Sequence, residues 1–126
     1  MSKVKFTSVS GFDGFEGMLN MELLWTNSSP TSVFAAQTIS MNLSKYKMFV
    51  IVAKRGLNYG TYITGIVLMN ESSLISMADA QNTFRSFTAD SSGITFNDCF
   101  KQPTYGAANW GTDNSLIVPI NIYGIN

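Results

Sequence analysis

The sequence predicts an all-β fold, an antiparallel β-sandwich of jelly-roll-like form. Three observations point there. The chain closes on Ser115-Leu116-Ile117-Val118-Pro119-Ile120-Asn121-Ile122-Tyr123-Gly124-Ile125-Asn126, an apolar, β-branched run that reaches its last residue. Such an ending frays unless it is tied down, so it is expected inside a sheet. Gln37, Ile39, Met41 and Leu43 alternate with Thr38, Ser40 and Asn42, the period-two signature of a half-buried strand. Turn signals recur about every ten to fifteen residues and divide the chain into roughly seven or eight short strands.

The elements follow in order. Residues 1–20 read as a flexible N-terminal segment. Gly11, Gly14 and Gly17 are spaced by threes, but without proline and over too few triplets for collagen. Within this segment 3–7 has the composition of a short strand. The sandwich proper is expected over 21–126. Residues 22–27 form a strand candidate, stopped by Ser28-Ser29-Pro30-Thr31. The alternating strand at 33–43 comes next. Residues 46–53 carry Tyr46, Met48, Val50 and Val52 on one face and Phe49, Ile51 and Ala53 on the other. Residues 61–69 are likewise apolar on both faces. Strands of this kind are covered on both sides. The two are expected to form a long hairpin across the turn at 54–60. For 70–82 the spacing of Leu74, Ile75, Met77 and Ala78 suits a short helix or a twisted strand. Residues 83–89 and 94–100 read as strands around the turn Asp90-Ser91-Ser92-Gly93, and 102–114 as a long polar loop.

Composition narrows the chemistry. A chain of 126 residues suits one domain with a single core. Charged residues make up only 13%, and eight basic residues balance eight acidic ones. Phosphate binding needs clustered Lys and Arg, so nucleic acid is not expected as a partner. A neutral, sparsely charged surface favours an assembly that covers much of it. There is no histidine, which removes the commonest general base and transition-metal ligand and rules out a Ser-His-Asp triad. The single cysteine, Cys99, excludes an internal disulfide and reads as a small buried apolar residue among Ile94, Phe96 and Phe100. No segment approaches the ~20 apolar residues of a membrane span. Met1 to Phe6 carries two lysines but no apolar run behind them, so no signal peptide is expected. The sequons at Asn27, Asn42 and Asn70 are then incidental.

No pair of carboxylates is marked for general acid–base work. The acids sit mostly in expected turns, where solvation explains them. Phosphate-loop and EF-hand patterns are absent, and no cofactor is expected; Asp90 or Asp113 could at most add a ligand to a calcium site built on backbone carbonyls. What remains is a set of aromatic residues in polar loops: Tyr59 in 54–60, and Tyr105 and Trp110 in 102–114 with Asn109 and Asp113. Aromatic faces stack on sugar C–H surfaces while amides and carboxylates supply directional hydrogen bonds. The alternative is that these rings cap the sandwich as core.

Several segments resemble the C-terminal receptor-binding head of phage tail-fibre and prophage minor structural proteins. They are Leu24-Trp25-Thr26-Asn27 with Pro30, Phe34-Ala35-Ala36-Gln37-Thr38-Ile39 leading to Leu43-Ser44-Lys45-Tyr46, Phe87-Thr88 before Gly93-Ile94-Thr95-Phe96, and Val118-Pro119-Ile120-Asn121-Ile122-Tyr123-Gly124-Ile125. The resemblance covers about residues 23–126 and implies a β-rich homotrimer that binds a host surface glycan from the virion, without turnover. It carries no catalytic or binding residue over, because the matching segments are structural. The other reading is a structural virion module, a decoration or oligomerisation cap with no glycan ligand; a small depolymerase is disfavoured by the missing histidine.

Overall fold

The structure, a computed structural model, describes residues 21–78, 81–104 and 108–126. Nine strands follow in order: β1 (Met21–Thr26), β2 (Gln37–Ser40), β3 (Met48–Gly56), β4 (Tyr62–Leu68), β5 (Ser72–Ala78), β6 (Asn82–Asp90), β7 (Gly93–Lys101), β8 (Gly111–Thr112) and β9 (Leu116–Ile125). Among the described residues there is no helix. The expected flexible segment at 1–20, with its short strand, lies outside the described residues. So does Tyr105.

The strands form two antiparallel sheets in a sandwich-like arrangement. Sheet A has the order β1-β9-β3-β4, and sheet B the order β2-β7-β6-β5, with β8 also on β7. The terminal strand is internal, as its composition demands. It is paired to β1 from Met21↔Ile125 to Thr26↔Asn121 and to β3 from Met48↔Ile125 to Gly56↔Leu116. Pro119 has no N–H to give a central ladder, and it sits where the β3–β9 register shifts, a position that tolerates it. The expected hairpin of 46–53 with 61–69 is present as β3–β4, in unbroken register from Met48↔Leu68 to Lys54↔Tyr62.

Two sequence expectations are refined. The strand at 33–43 is only four residues long. Phe34 and Leu43 leave it and are buried from irregular segments, with Phe34 edge-on to both Trp25 and Phe96. Packing of those two side chains into the core outweighs continuing a ladder with β7. The helix-or-strand segment at 70–82 is a strand, β5, because Ile75 is drawn into the core and Leu74 and Ser76 then face out.

The inner faces of both sheets meet in one core. Phe49, Ile51, Ala53, Val67 and Ile122 come from sheet A, and Ile75, Phe87, Ala89, Ile94, Phe96 and Cys99 from sheet B. At Gly65 the sheets approach closely, since a Cβ there would lie 2.5 Å from the Ile75 side chain. Alternation along β3, β4 and β9 sends a second apolar set outward. Met21, Tyr123 and Ile125 are buried on that outer face against Met48, Val50 and Val52. Further along it, Ile66 and Leu68 remain 54% and 55% exposed. Below the core, the buried Glu22 carboxylate accepts the Tyr46 hydroxyl at 2.7 Å, with the Lys45 ammonium 3.9 Å away. Burial, followed by the bond to Glu22, pushes the Tyr46 phenol well above its ordinary value.

Candidate functional site

The outer face of sheet B differs in kind. Alternation along β5 and β6 presents Ser72, Leu74, Ser76 and Ala78 beside Phe84, Ser86 and Thr88, with no charge among them. Hydroxyls and amides pair across the strands. Thr38 and Thr95 share a hydrogen bond of 2.9 Å, Ser72 and Thr88 one of 2.7 Å, and the Asn97 amide donates to the Ser86 hydroxyl at 2.7 Å. These groups satisfy one another yet keep free lone pairs toward solvent.

One end of this face is aromatic. Phe84 and Phe100 are directly opposed on β6 and β7, with ring centroids 5.7 Å apart. Trp110 immediately precedes β8, and β8 is anchored by Phe100↔Thr112 and Lys101↔Gly111. That anchor turns the indole edge-on to Phe84, at 5.3 Å and 69°. Trp110 keeps 41% of its surface exposed. It stands between two open depressions. One, of about 510 Å³, lies over Leu74, Ser76, Asn82 and Phe84; the other, of about 400 Å³, is lined by Lys101, Pro103, Asn109, Thr112 and Asp113.

The structure therefore brings Asn109, Trp110 and Asp113 together around one depression. Asp113 also has a local task. Its carboxylate accepts the Ser115 amide at 3.1 Å and the Ser115 hydroxyl, and its own N–H donates to Cys99 at 2.8 Å. Tyr59 is elsewhere. Its ring lies over Gly56, where a Cβ would be 2.6 Å from it, and it lines a separate depression of about 480 Å³ with Thr31, Leu57 and Ser115.

Residue-by-residue reading missed Phe84 and Phe100 as part of the aromatic patch. A signal existed: Phe84 and Phe87 are an odd number of residues apart and cannot share a strand face. Phe87 is buried, so Phe84 faces out. The same parity sends Arg85 inward. This arginine is fully buried, and its Nε donates to the Ile117 carbonyl at 2.8 Å and Nη1 to that of Asn97 at 2.7 Å. Nη2 reaches the Leu116 carbonyl at 3.2 Å, and the guanidinium lies 5.3 Å over the Phe34 ring. Burial pulls its pKa below the ordinary arginine value. Ile117 holds φ at 44°, a conformation β-branched residues avoid, and its carbonyl is one of the three that Arg85 grips. Asn114 links this cation to the surface: its carbonyl oxygen accepts the Cys99 amide at 2.8 Å, and its amide donates to Asp98 at 2.9 Å. Burial pushes the Cys99 thiol up to about 11, so it is no nucleophile at neutral pH.

Among the described residues no group of three or more His, Cys, Asp or Glu side chains is placed to hold a metal ion. No protein-family model, no curated protein and no solved structure matches the chain.

Proposed function

We propose that this chain is a phage tail-fibre-type receptor-binding head that holds a host cell-surface carbohydrate without chemically altering it. The observation that carries the reading is Trp110, half exposed, braced edge-on by Phe84 and flanked by open, weakly charged depressions. A braced indole offers an apolar face to sugar C–H groups at little entropic cost. Asn109 and Asn82 beside it can read the hydroxyls. Shallow open sites bind weakly, and avidity is the usual remedy. Three linked copies raise apparent affinity by ~10²–10⁴ where geometry allows. The homotrimer is the state the resemblance selects, and the exposed Ile66 and Leu68 on sheet A favour an assembly of copies. The jelly-roll-like reading draws support from the chain's passage from sheet A to B and back over β1, β2 and β3. In this reading the protein acts in the virion, with other tail proteins and host glycan as partners.

A glycan array probed with the purified protein tests it. Binding to one or a few surface glycans is expected, with Trp110→Ala reducing it at least ~10-fold and moving the melting temperature by only a few degrees. Full binding by Trp110→Ala would move the site away from this patch. No binding by the wild type to any glycan would favour the second reading, a structural virion module, which the apolar outer face of sheet A supports by itself.

A further inference from the structure

Among the described residues sheet A has two edges, β1 and β4, and they are built differently. The β1 ladder is broken by a register shift between Leu23 and Trp25, and the strand carries Glu22. Charges and bulges are devices that keep an edge from pairing with another chain. β4 has neither. Its seven residues, Tyr-Ile-Thr-Gly-Ile-Val-Leu, include no charge and no proline, and its register with β3 is unbroken.

The hydrogen bonds show which backbone groups are open. Met69 N–H donates to Lys47 and Arg55 N–H to Thr61, so the pairs 69/47 and 55/61 exchange bonds across β3–β4. Alternation then turns Ile63, Gly65 and Val67 toward β3, and Tyr62, Thr64 and Ile66 away from it. Among the described residues no backbone partner meets the outward groups of Tyr62, Thr64 and Ile66; the Leu68 carbonyl alone is used, by Glu71. These same even-numbered residues carry the exposed side chains Tyr62, Ile66 and Leu68 on the outer face.

We propose that β4 is a pairing edge for a second copy of this chain, joined antiparallel about a two-fold axis near Gly65. The strand is complementary to itself in that arrangement. Tyr62 falls opposite Leu68 of the other copy and Thr64 opposite Ile66, so the open outward backbone groups of Tyr62, Thr64 and Ile66 meet outward groups, with the Leu68 carbonyl shared with Glu71. Apolar and hydroxyl side chains align on one face, and no like charges oppose each other. Gly65 at the centre places no side chain between the two copies' cores. Pairing extends sheet A across the axis and shields the exposed flank of Ile66 and Leu68. The contact is that of one strand pair, so association is expected in the micromolar range and is independent of what sheet B binds.

Sedimentation equilibrium from about 1 to 100 µM, with amide hydrogen exchange at both extremes, tests this. The expected mass at high concentration is an even multiple of 13.8 kDa, a dimer, or a hexamer where pairs also join about a three-fold axis. Amides of Tyr62, Thr64 and Ile66 should gain at least ~10-fold protection on concentration, while Ile63, Gly65 and Val67 stay protected throughout. Thr64→Pro removes an outward N–H and spares the β3 ladder; Ile66→Lys places a charge at the edge. Either should abolish the even-numbered species. Hydrogen exchange on the wild type decides the matter even where Thr64→Pro fails to fold. A monomer at all concentrations overturns the proposal. A trimer, with the outward β4 amides exchanging freely, also overturns it and leaves the receptor-binding reading standing.

Discussion

The two outer faces of this molecule obey different solvents. Sheet A turns Met48, Val50, Ile66, Leu68, Tyr123 and Ile125 outward, so its face is largely apolar, interrupted by Thr64 and Asn121. Sheet B turns out Ser72, Ser76, Ser86, Thr88 and Thr95, with hydroxyls bonded to each other and one aromatic end. On the first face the cost of meeting water falls on Tyr62, Ile66 and Leu68, since Tyr123 and Ile125 are buried, and on the second it is confined to Leu74 and the aromatic end. This is the difference on which the two proposals rest, self-association through sheet A and ligand binding on sheet B. The inner faces differ as well. Sheet A buries a carboxylate, Glu22, bonded to the Tyr46 hydroxyl, whereas sheet B buries a cation, Arg85, held by main-chain carbonyls.

The largest expected effect breaks that inner contrast. Arg85→Met removes the buried charge of sheet B but leaves the carbonyls of Ile117 and Asn97 without their donor. An unmet buried acceptor costs about 1–3 kcal/mol, so a loss of about 2–4 kcal/mol in urea denaturation is expected. A neutral result would mean that water replaces the guanidinium and that the cation is dispensable for the strained Ile117.

The outer contrast is tested by placing one charge on each face. Leu68→Lys should weaken self-association at least ~10-fold, about 1.4 kcal/mol, in light scattering. Thr88→Lys, which gives up only an exposed hydroxyl pair, should leave association unchanged. Both should keep fold stability within about 0.5 kcal/mol, as surface substitutions usually do. Equal effects on association would erase the distinction between the faces.

The smallest effect concerns the rim of sheet B. The Asn114 amide first, then the Ala36 N–H, hold the Asp98 carboxyl below its usual range. A depressed folded pKa contributes stability that is present above the unfolded value, about 3.9, and is lost as pH falls through the folded value. The wild-type melting temperature should therefore fall on acidification below about pH 4, and that of Asp98→Asn should fall less steeply. Melts across pH 2 to 7 would show it.

Local pattern determined a good part of this protein. Period-two alternation marked β2, apolar runs between turn signals marked β3, β4, β6 and β7, and a β-branched run marked β9. The apolar, β-branched ending predicted an internal strand, and apolar residues on both faces of 46–53 and 61–69 foretold the outer face of sheet A. Cys99 was legible as core from its neighbours. Trp110 was legible as a loop aromatic, but its bracing was not. Phe84 lies twenty-six positions earlier, and only the pairing of β8 with β7 brings the two rings together. The short β2 was decided by Phe34 and Leu43 packing across the core. The burial of Arg85 was decided by carbonyls of β7 and β9 that converge from distant sequence. Period two is a property of neighbouring residues and can be read along the chain. Register shifts, edge exposure and the meeting of aromatic rings depend on which strands pair, and that is settled only when two sheets close on one core.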